Sequence, residues 1–447
     1  MSSSRNSAIF LLIRSALTGA LGGLLFGFDT AVIAGATHGL TTQYGLNALT
    51  QGVTVSIALW GTVLGALTSG AIGQKIGART TLRILGVLYV FSAIGCALAP
   101  SWDFFLIARF IGGLGIGGSS VLGPVYIAEL APAKWRGRMV GLFQINIVIG
   151  ILLAYLSNAI IAHYRLGALE WRWDLGVAAL PAIFFLLLLL TVPQSSRWLV
   201  SQNRLDEALL TLARMGSPDS RAELDAIVAS LAEDGGSSTP LFSRRHTRLI
   251  FLAITIGMFN QLSGINAILY YLNDIFASAG FGAMSASLQA VAIGLANLAA
   301  TFLGISLIDK LGRRTLLLIG AVGCGVCLAG AAILFGLGTH QNLLLPMLIG
   351  FIVFFAISQG AVIWVYLSEI FPTAVRAKGQ GLGSSTHWIM NGLITLIFPV
   401  IAAYSRALPF WFFAAMMALQ FFVVLFFYPE TKGHSLESLQ HELSVGH

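Results

Sequence analysis

Residues able to do chemistry stand out because most of this chain can do none. Residues 257–271 read GMFNQLSGINAILYY, inside an apolar run of about 247–277 that is long enough to cross a bilayer. The run nonetheless carries Asn260, Gln261, Ser263 and Asn266, with Gly264 among them. Amides facing lipid cost free energy, so these side chains should face a partner or a wet cavity. Gln261 and Asn266 lie roughly 140° apart on an ideal helix, so they share one site most easily if the helix loosens near Ser263–Gly264. A glycine-interrupted membrane helix with amides at the break suits a transporter site. The plainer alternative is polar glue between packed helices. Asp29 and Arg109 are the clearest ionisable residues inside apolar runs. Each costs about 2.5–3.5 kcal/mol even on a mild insertion scale, so pairing or a wet cavity is expected. Taking the first span to end near 36 and the fourth to begin near 103, both residues fall about 9–10 Å below the outer surface and can meet. A permanent structural ion pair is the alternative.

The elements that must position these residues are membrane spans. Of 447 residues, 57% are hydrophobic and only 10% charged, with mean hydropathy +0.85. Soluble domains carry about 25% charged residues, so this is a polytopic membrane protein. Runs of spanning length occur at about 10–36, 48–72, 81–99, 103–127, 137–163 and 173–192. After a polar segment they resume at 247–277, 285–308, 315–337, 343–367, 379–403 and 409–428. The 50 glycines fit close helix–helix packing. The net charge of +7 comes from Lys and Arg concentrated in alternate loops and in the central segment, not from a nucleic-acid surface. That bias puts both termini and the central loop in the cytoplasm. The N-terminal apolar segment is too long for a signal peptide and should remain as the first span. Cys324 and Cys327 form CxxC within an apolar run, without the loop or polar setting of redox or zinc chemistry. No metal-ligand cluster or nucleophile–base motif points to an enzyme, and no cofactor is expected.

The halves repeat. GQKIGART (73–80) answers IDKLGRRT (308–315), YIAELAPAKWRGR (126–138) answers YLSEIFPTAVRAK (366–378), and PQSSRWL (193–199) answers PETKGHSL (429–436), at offsets of 235, 240 and 236 residues. A six-helix unit has been duplicated in parallel. The expected organisation is an all-α protein of twelve transmembrane helices: a bundle over 1–192, a cytoplasmic helical loop over 193–246, a second bundle over 247–428 and a short tail, 429–447. Within the loop, Leu205, Ala208, Leu209 and Leu212, then Leu224, Ile227, Val228 and Leu231, follow amphipathic-helix spacing. Gly216 and Gly235–Gly236 are placed to end the two helices.

The ordered set GLLFGFDTAVIAG (23–35), RFIGGLGIGG (109–118), YIAELAPAKWRGR, PQSSRWL, FNQLSGIN (259–266), DKLGRR (309–314), SEIFPTAVRAKG (368–379) and PETKG (429–433) resembles the sugar porter family of the major facilitator superfamily along essentially the whole chain. The resemblance implies alternating access by two six-helix bundles around a central site for hexoses, pentoses or related polyols. It implies a monomer in the plasma membrane (the inner membrane of a bacterium). The family's sugar contacts fall on Phe26, Gln144, Gln261, Asn266, Tyr270, Trp364, Trp388 and Asn391, with Asn260 and His387 beside them. The chemistry agrees, since amides both donate and accept toward hydroxyls, and aromatic rings pack on sugar C–H faces. In this family an Asp at the place of Asp29, with an Arg at the place of Arg109, marks proton-coupled symporters. The resemblance further implies a cytoplasmic ionic lock from Arg79, Glu129, Arg136, Asp309, Arg313, Glu369, Arg376 and Glu430. Ala78 and Gln194, where the pattern has Arg and Glu, should weaken the lock in the first half. Ile151, Ala361 and His387 also depart from the common pattern and bear on substrate identity. The expected function is proton-coupled monosaccharide symport. A facilitative uniporter, a carrier of a related polyol or small metabolite, and a membrane sugar sensor are the alternatives.

Overall fold

Backbone amides have no water to bond to in hydrocarbon, so each apolar run must satisfy its own hydrogen bonds as a helix. The computed structural model describes residues 2–131, 136–217, 219–234, 240–371 and 375–432. Among these residues every regular element is helical: α1 (Ser2–Tyr44), α2 (Ala48–Ile76), α3 (Ala78–Ala97), α4 (Trp102–Leu130), α5 (Arg136–Tyr164), α6 (Glu170–Gly176), α7 (Ala179–Thr191), α8 (Ser196–Ser201), α9 (Leu205–Arg214), α10 (Ser220–Asp234), α11 (Thr247–Leu262), α12 (Ile265–Tyr270), α13 (Leu272–Ser278), α14 (Ala283–Leu311), α15 (Arg313–Leu337), α16 (Leu344–Phe355), α17 (Ala361–Glu369), α18 (Arg376–Tyr404) and α19 (Leu408–Phe427). Twelve stretches are long and apolar enough to cross a membrane, so this is an integral, multi-pass membrane protein with an all-α major facilitator-like fold.

Several boundaries differ from the sequence expectation. The first helix runs on to Tyr44, eight residues past the end of its apolar run. Asp29 therefore lies about 22 Å from the end of α1, not about 10 Å. The seventh span is interrupted, and the tenth contains a π-helical turn, Ala356–Gly360.

Contacts gather the chain into two compact units: Met1–Asp29, Trp60–Ala154 and Arg172–Ser237 in one, and Thr30–Leu59, Tyr155–Trp171 and Ser238–His447 in the other. In the first unit, Gly23 and Gly27 bring α1 against the carbonyls of Phe143 and Ile147 on α5, where any side chain would collide. The core there includes Leu82, Leu85, Tyr126 and Phe185, all buried. The second unit has its own core around Leu252, Leu316, Leu317, Tyr366 and Phe371.

The two amphipathic helices expected in the central loop are α9 and α10. Their apolar faces, with α8, bury Leu199, Ala208, Leu212 and Leu224 together. Trp198 Nε1 donates to the Gln74 carbonyl at 2.9 Å, tying these helices to the end of α2. Gly235–Gly236 lie outside the described residues.

Candidate functional site

The break expected near Ser263–Gly264 is present. The helix stops at Leu262, Gly264 takes φ +82°, and α12 restarts at Ile265. Only glycine adopts this left-handed conformation without steric cost. Ser263 helps shape the break, its hydroxyl donating to the Asn260 carbonyl at 2.7 Å and accepting from the Ile265 N–H at 3.3 Å. The distortion does what an ideal helix could not: Asn266 Nδ2 donates to Gln261 Oε1 at 3.2 Å. Gln261 Nε2 in turn donates to Asn260 Oδ1 at 3.1 Å and lies 3.2 Å from His387 Nε2. The His387 ring sits 5.3 Å from Trp364 and 5.0 Å from Trp388, centroid to centroid. Below this cluster Asn391 Nδ2 donates to the Tyr270 hydroxyl at 3.2 Å, and Thr395 donates to Asn391 Oδ1 at 3.2 Å. Eight of the expected contact residues thus fall into two groups of amides and rings on α11, α12, α17 and α18: Asn260, Gln261, Asn266, Trp364, His387 and Trp388 in one, Tyr270 and Asn391 in the other. Most are buried, but Trp364 is 38% exposed, leaving an aromatic surface open beside the amides. That pairing offers donors, acceptors and an apolar face together, the complement of a pyranose or furanose ring.

Phe26 and Gln144 belong to the other unit, on α1 and α5, and both are half-buried. Phe26 packs against that unit's core. The same unit holds the charged pair. Arg109 Nη1 donates to Asp29 Oδ1 at 2.6 Å, with the two side chains 5% and 16% exposed. A small cavity against the pair is lined by Tyr89, Ser92 and Cys96 among others. Tyr89 shares a 3.0 Å hydrogen bond with Ser119, so the cavity wall is itself hydrogen-bonded.

The lock candidates divide by half. In the second unit Arg313 donates to Glu369 at 2.8 and 3.2 Å and to Asp309 at 3.0 Å. Glu430 accepts the backbone N–H groups of Arg313 and Arg314 at 2.8 and 3.1 Å, capping α15. In the first unit Gln194 takes the same capping place at α3, accepting the Arg79 N–H at 3.2 Å. With Ala78 at the position of Arg313, Glu129 accepts from Ser195, with Arg197 nearby. Arg79 turns to the Val192 carbonyl. The side chains of Arg136 and Arg376 lie outside the described residues.

Three groups of polar residues escaped the reading of the sequence. Gln359, in the π turn of the tenth span, is buried, and its carbonyl accepts from Asn260 Nδ2 at 3.5 Å. A π turn inside a helix often marks a functional site, but periodicity does not reveal it. Tyr89, Ser92 and Cys96 reach Asp29 from a helix about 60 residues away. Asp274, just past the seventh span, meets Thr37 and Gln51 from the first and second. The expected run of about 247–277 takes in Asp274 near its end, and a single carboxylate there gives no sign of its partners.

Residues 15–443 match the family model described as "Sugar (and other) transporter". The arabinose-proton symporter of Bacillus subtilis is 36% identical over 442 residues, covering 96% of this chain and 94% of that protein. The glucose transporter GlcP of Staphylococcus epidermidis is 36% identical over 436 residues, covering 96% of each. Among solved structures, the inward open conformation of the xylose transporter XylE from E. coli superposes with a TM-score of 0.86 at 33% identity, covering 96% of this chain and 99% of that one. The chain therefore belongs to the sugar porter family of the major facilitator superfamily, a secondary transporter of a sugar-like small molecule and not an enzyme.

Proposed function

We propose that the protein is a proton-coupled symporter of a monosaccharide, hexose or pentose. It works by alternating access, as a monomer in the plasma membrane, with both termini and the 193–246 loop cytoplasmic between bundles at 1–192 and 247–428. The observation that carries proton coupling is the largely buried Asp29–Arg109 pair beside its small cavity. An ionised carboxylate favours the arginine contact, whereas a protonated one releases much of it. A proton arriving at Asp29 thus changes the free energy of holding α1 against α4. If the bundle rearrangement that exposes sugar requires that contact to loosen, proton and sugar share a coupling free energy, reciprocal at the level of binding.

The sugar side of the reading rests on the hydrogen-bonded amides of Gln261, Asn260 and Asn266, with Asn391 on α18 and with Trp364 and Trp388; Phe26 and Gln144 are the first half's candidates for sugar contact. His387 supplies a ring nitrogen within reach of Gln261 and narrows the space between the two tryptophans. Both features suit a small neutral polyhydroxyl compound. The lock residues Arg313, Glu369, Asp309 and Glu430, with Arg79 and Glu129 in the first half, hold the cytoplasmic ends in one state of the cycle. The name of the arabinose-proton symporter, a relative matched along nearly its whole length, supports the same reading. The test is uptake of a panel of labelled sugars by purified protein in proteoliposomes, with and without an inward proton gradient. Gradient-driven accumulation of a pentose or hexose is expected. Equilibration without accumulation, for every sugar taken up, would make the protein a uniporter.

A further inference from the structure

One carboxylate outside both sites is built into a seam. Asp274 lies on α13, just beyond the Thr247–Tyr270 span. Its Oδ1 accepts from the Thr37 hydroxyl on α1 at 3.0 Å, and its Oδ2 accepts from Gln51 Nε2 on α2 at 3.1 Å. The same seam is closed nearby by two further contacts. The Tyr155 hydroxyl on α5 donates to the Leu269 carbonyl at 2.8 Å, and Gly52 on α2 rests directly on the Leu396 carbonyl of α18. All of these residues belong to one compact unit. By the Lys/Arg orientation proposed above, this is the outer side of the membrane.

The partners of Asp274 are informative because they are neutral. An arginine or lysine would hold the carboxylate ionised at any ordinary pH. Thr37 and Gln51 instead serve either protonation state. Their O–H and N–H groups donate to a carboxylate. If the carboxyl is protonated, its O–H can donate to the Gln51 carbonyl oxygen once that amide turns over. The titratable groups acting on Asp274 are His38, adjacent to Thr37 on α1, and Tyr271 on its own segment. Burial pushes the carboxyl up to about 6, while Thr37, His38 and Gln51 pull the other way.

We propose that Asp274 is a proton-binding latch, separate from Asp29, that takes up a proton when α1 and α2 close over the outer end of the seventh span. The sign follows from linkage. A solvated aspartate titrates at about 3.9, so the closed seam binds the proton more tightly than the parted one. Closure is therefore favoured as pH falls through about 6, the effect is complete below about 4, and it is absent above about 7. Between pH 7.5 and 5 the ratio of closed to open forms rises about tenfold, within the roughly hundredfold that two pH units allow.

The experiment places spin labels at Gln43→Cys and Ala283→Cys, both exposed, in the full-length protein in nanodiscs. The distance distribution across the seam is then recorded from pH 7.5 to 5. Nanodiscs have no sidedness, so the outcome does not depend on the proposed orientation. A short-distance population that grows about tenfold relative to the long one, the rise setting in near pH 6, is expected. Asp274→Asn, a permanently neutral hydrogen-bonding mimic, should be mostly closed at every pH, and Asp274→Ala mostly open at every pH. The response should persist in Asp29→Asn. A flat wild-type profile would overturn the latch, as would the same pH response in Asp274→Asn. Loss of the response in Asp29→Asn would assign the proton to Asp29 and overturn it too.

Discussion

Replacing Asp29 with Asn keeps the side-chain shape and removes both its charge and its ability to titrate. The pair it disrupts is short, 2.6 Å, and its members are only 5% and 16% exposed, so solvent and salt screen it weakly. The amide oxygen can still accept from Arg109, so the loss is smaller than the about 3–5 kcal/mol for deleting one partner of a buried pair. A hydrogen bond to a charged group contributes about 1.5–3 kcal/mol, which is roughly a 10- to 150-fold shift between states that hold Arg109 and states that release it. The assay is sugar accumulation in proteoliposomes with the membrane potential clamped at zero. One pH unit is worth about 1.4 kcal/mol, enough for about tenfold accumulation at one proton per sugar. The wild type should approach that ratio, and Asp29→Asn should stop at equal concentrations inside and out. Exchange of labelled sugar between equal pools should continue in the variant, since it needs no net proton movement. Tenfold accumulation surviving in Asp29→Asn would show that the proton enters elsewhere and refute the coupling role given to this pair.

Gln261→Ala and Trp364→Ala should each weaken sugar binding in protein that remains folded, Gln261→Ala by about 1–3 kcal/mol because it strands Asn260 Oδ1 and Asn266 Nδ2; wild-type affinity by calorimetry in both would remove them from the site. Gly264→Ala forces a side chain into the left-handed region, at about 1–2 kcal/mol, and into the ring of Phe413, so both the melting temperature and transport should fall; an unchanged variant would show the break to be unimportant. Arg313→Ala removes the ion pair with Glu369 and should lower the melting temperature well beyond Arg79→Ala, which loses a hydrogen bond to the Val192 carbonyl; equal losses would contradict this difference between the two arginines. Cysteines introduced at position 340 and within 193–246 should react with impermeant reagents from opposite sides of the membrane, and labelling of both from one side would overturn the orientation.

The twelve spans and the membrane class were written in composition and periodicity, because hydrocarbon leaves a chain few alternatives to the helix. Residue types in the wrong solvent marked Asp29, Arg109 and the amides of 257–271, and the glycine at 264 announced the break. Distance in space was not legible. That Gln261 reaches His387 across 126 residues, or that Arg313 gathers Glu369 and Asp309, follows from how helices pack. The length of α1 was misjudged because polarity ends an apolar run without ending a helix: Thr37 and His38 continue it toward Asp274. The π turn at Ala356–Gly360 was hidden because one extra residue in a helical turn leaves little mark in the spacing of apolar residues. Sequence thus determined which groups had to be hidden from lipid; only the tertiary structure decided which of them would satisfy one another.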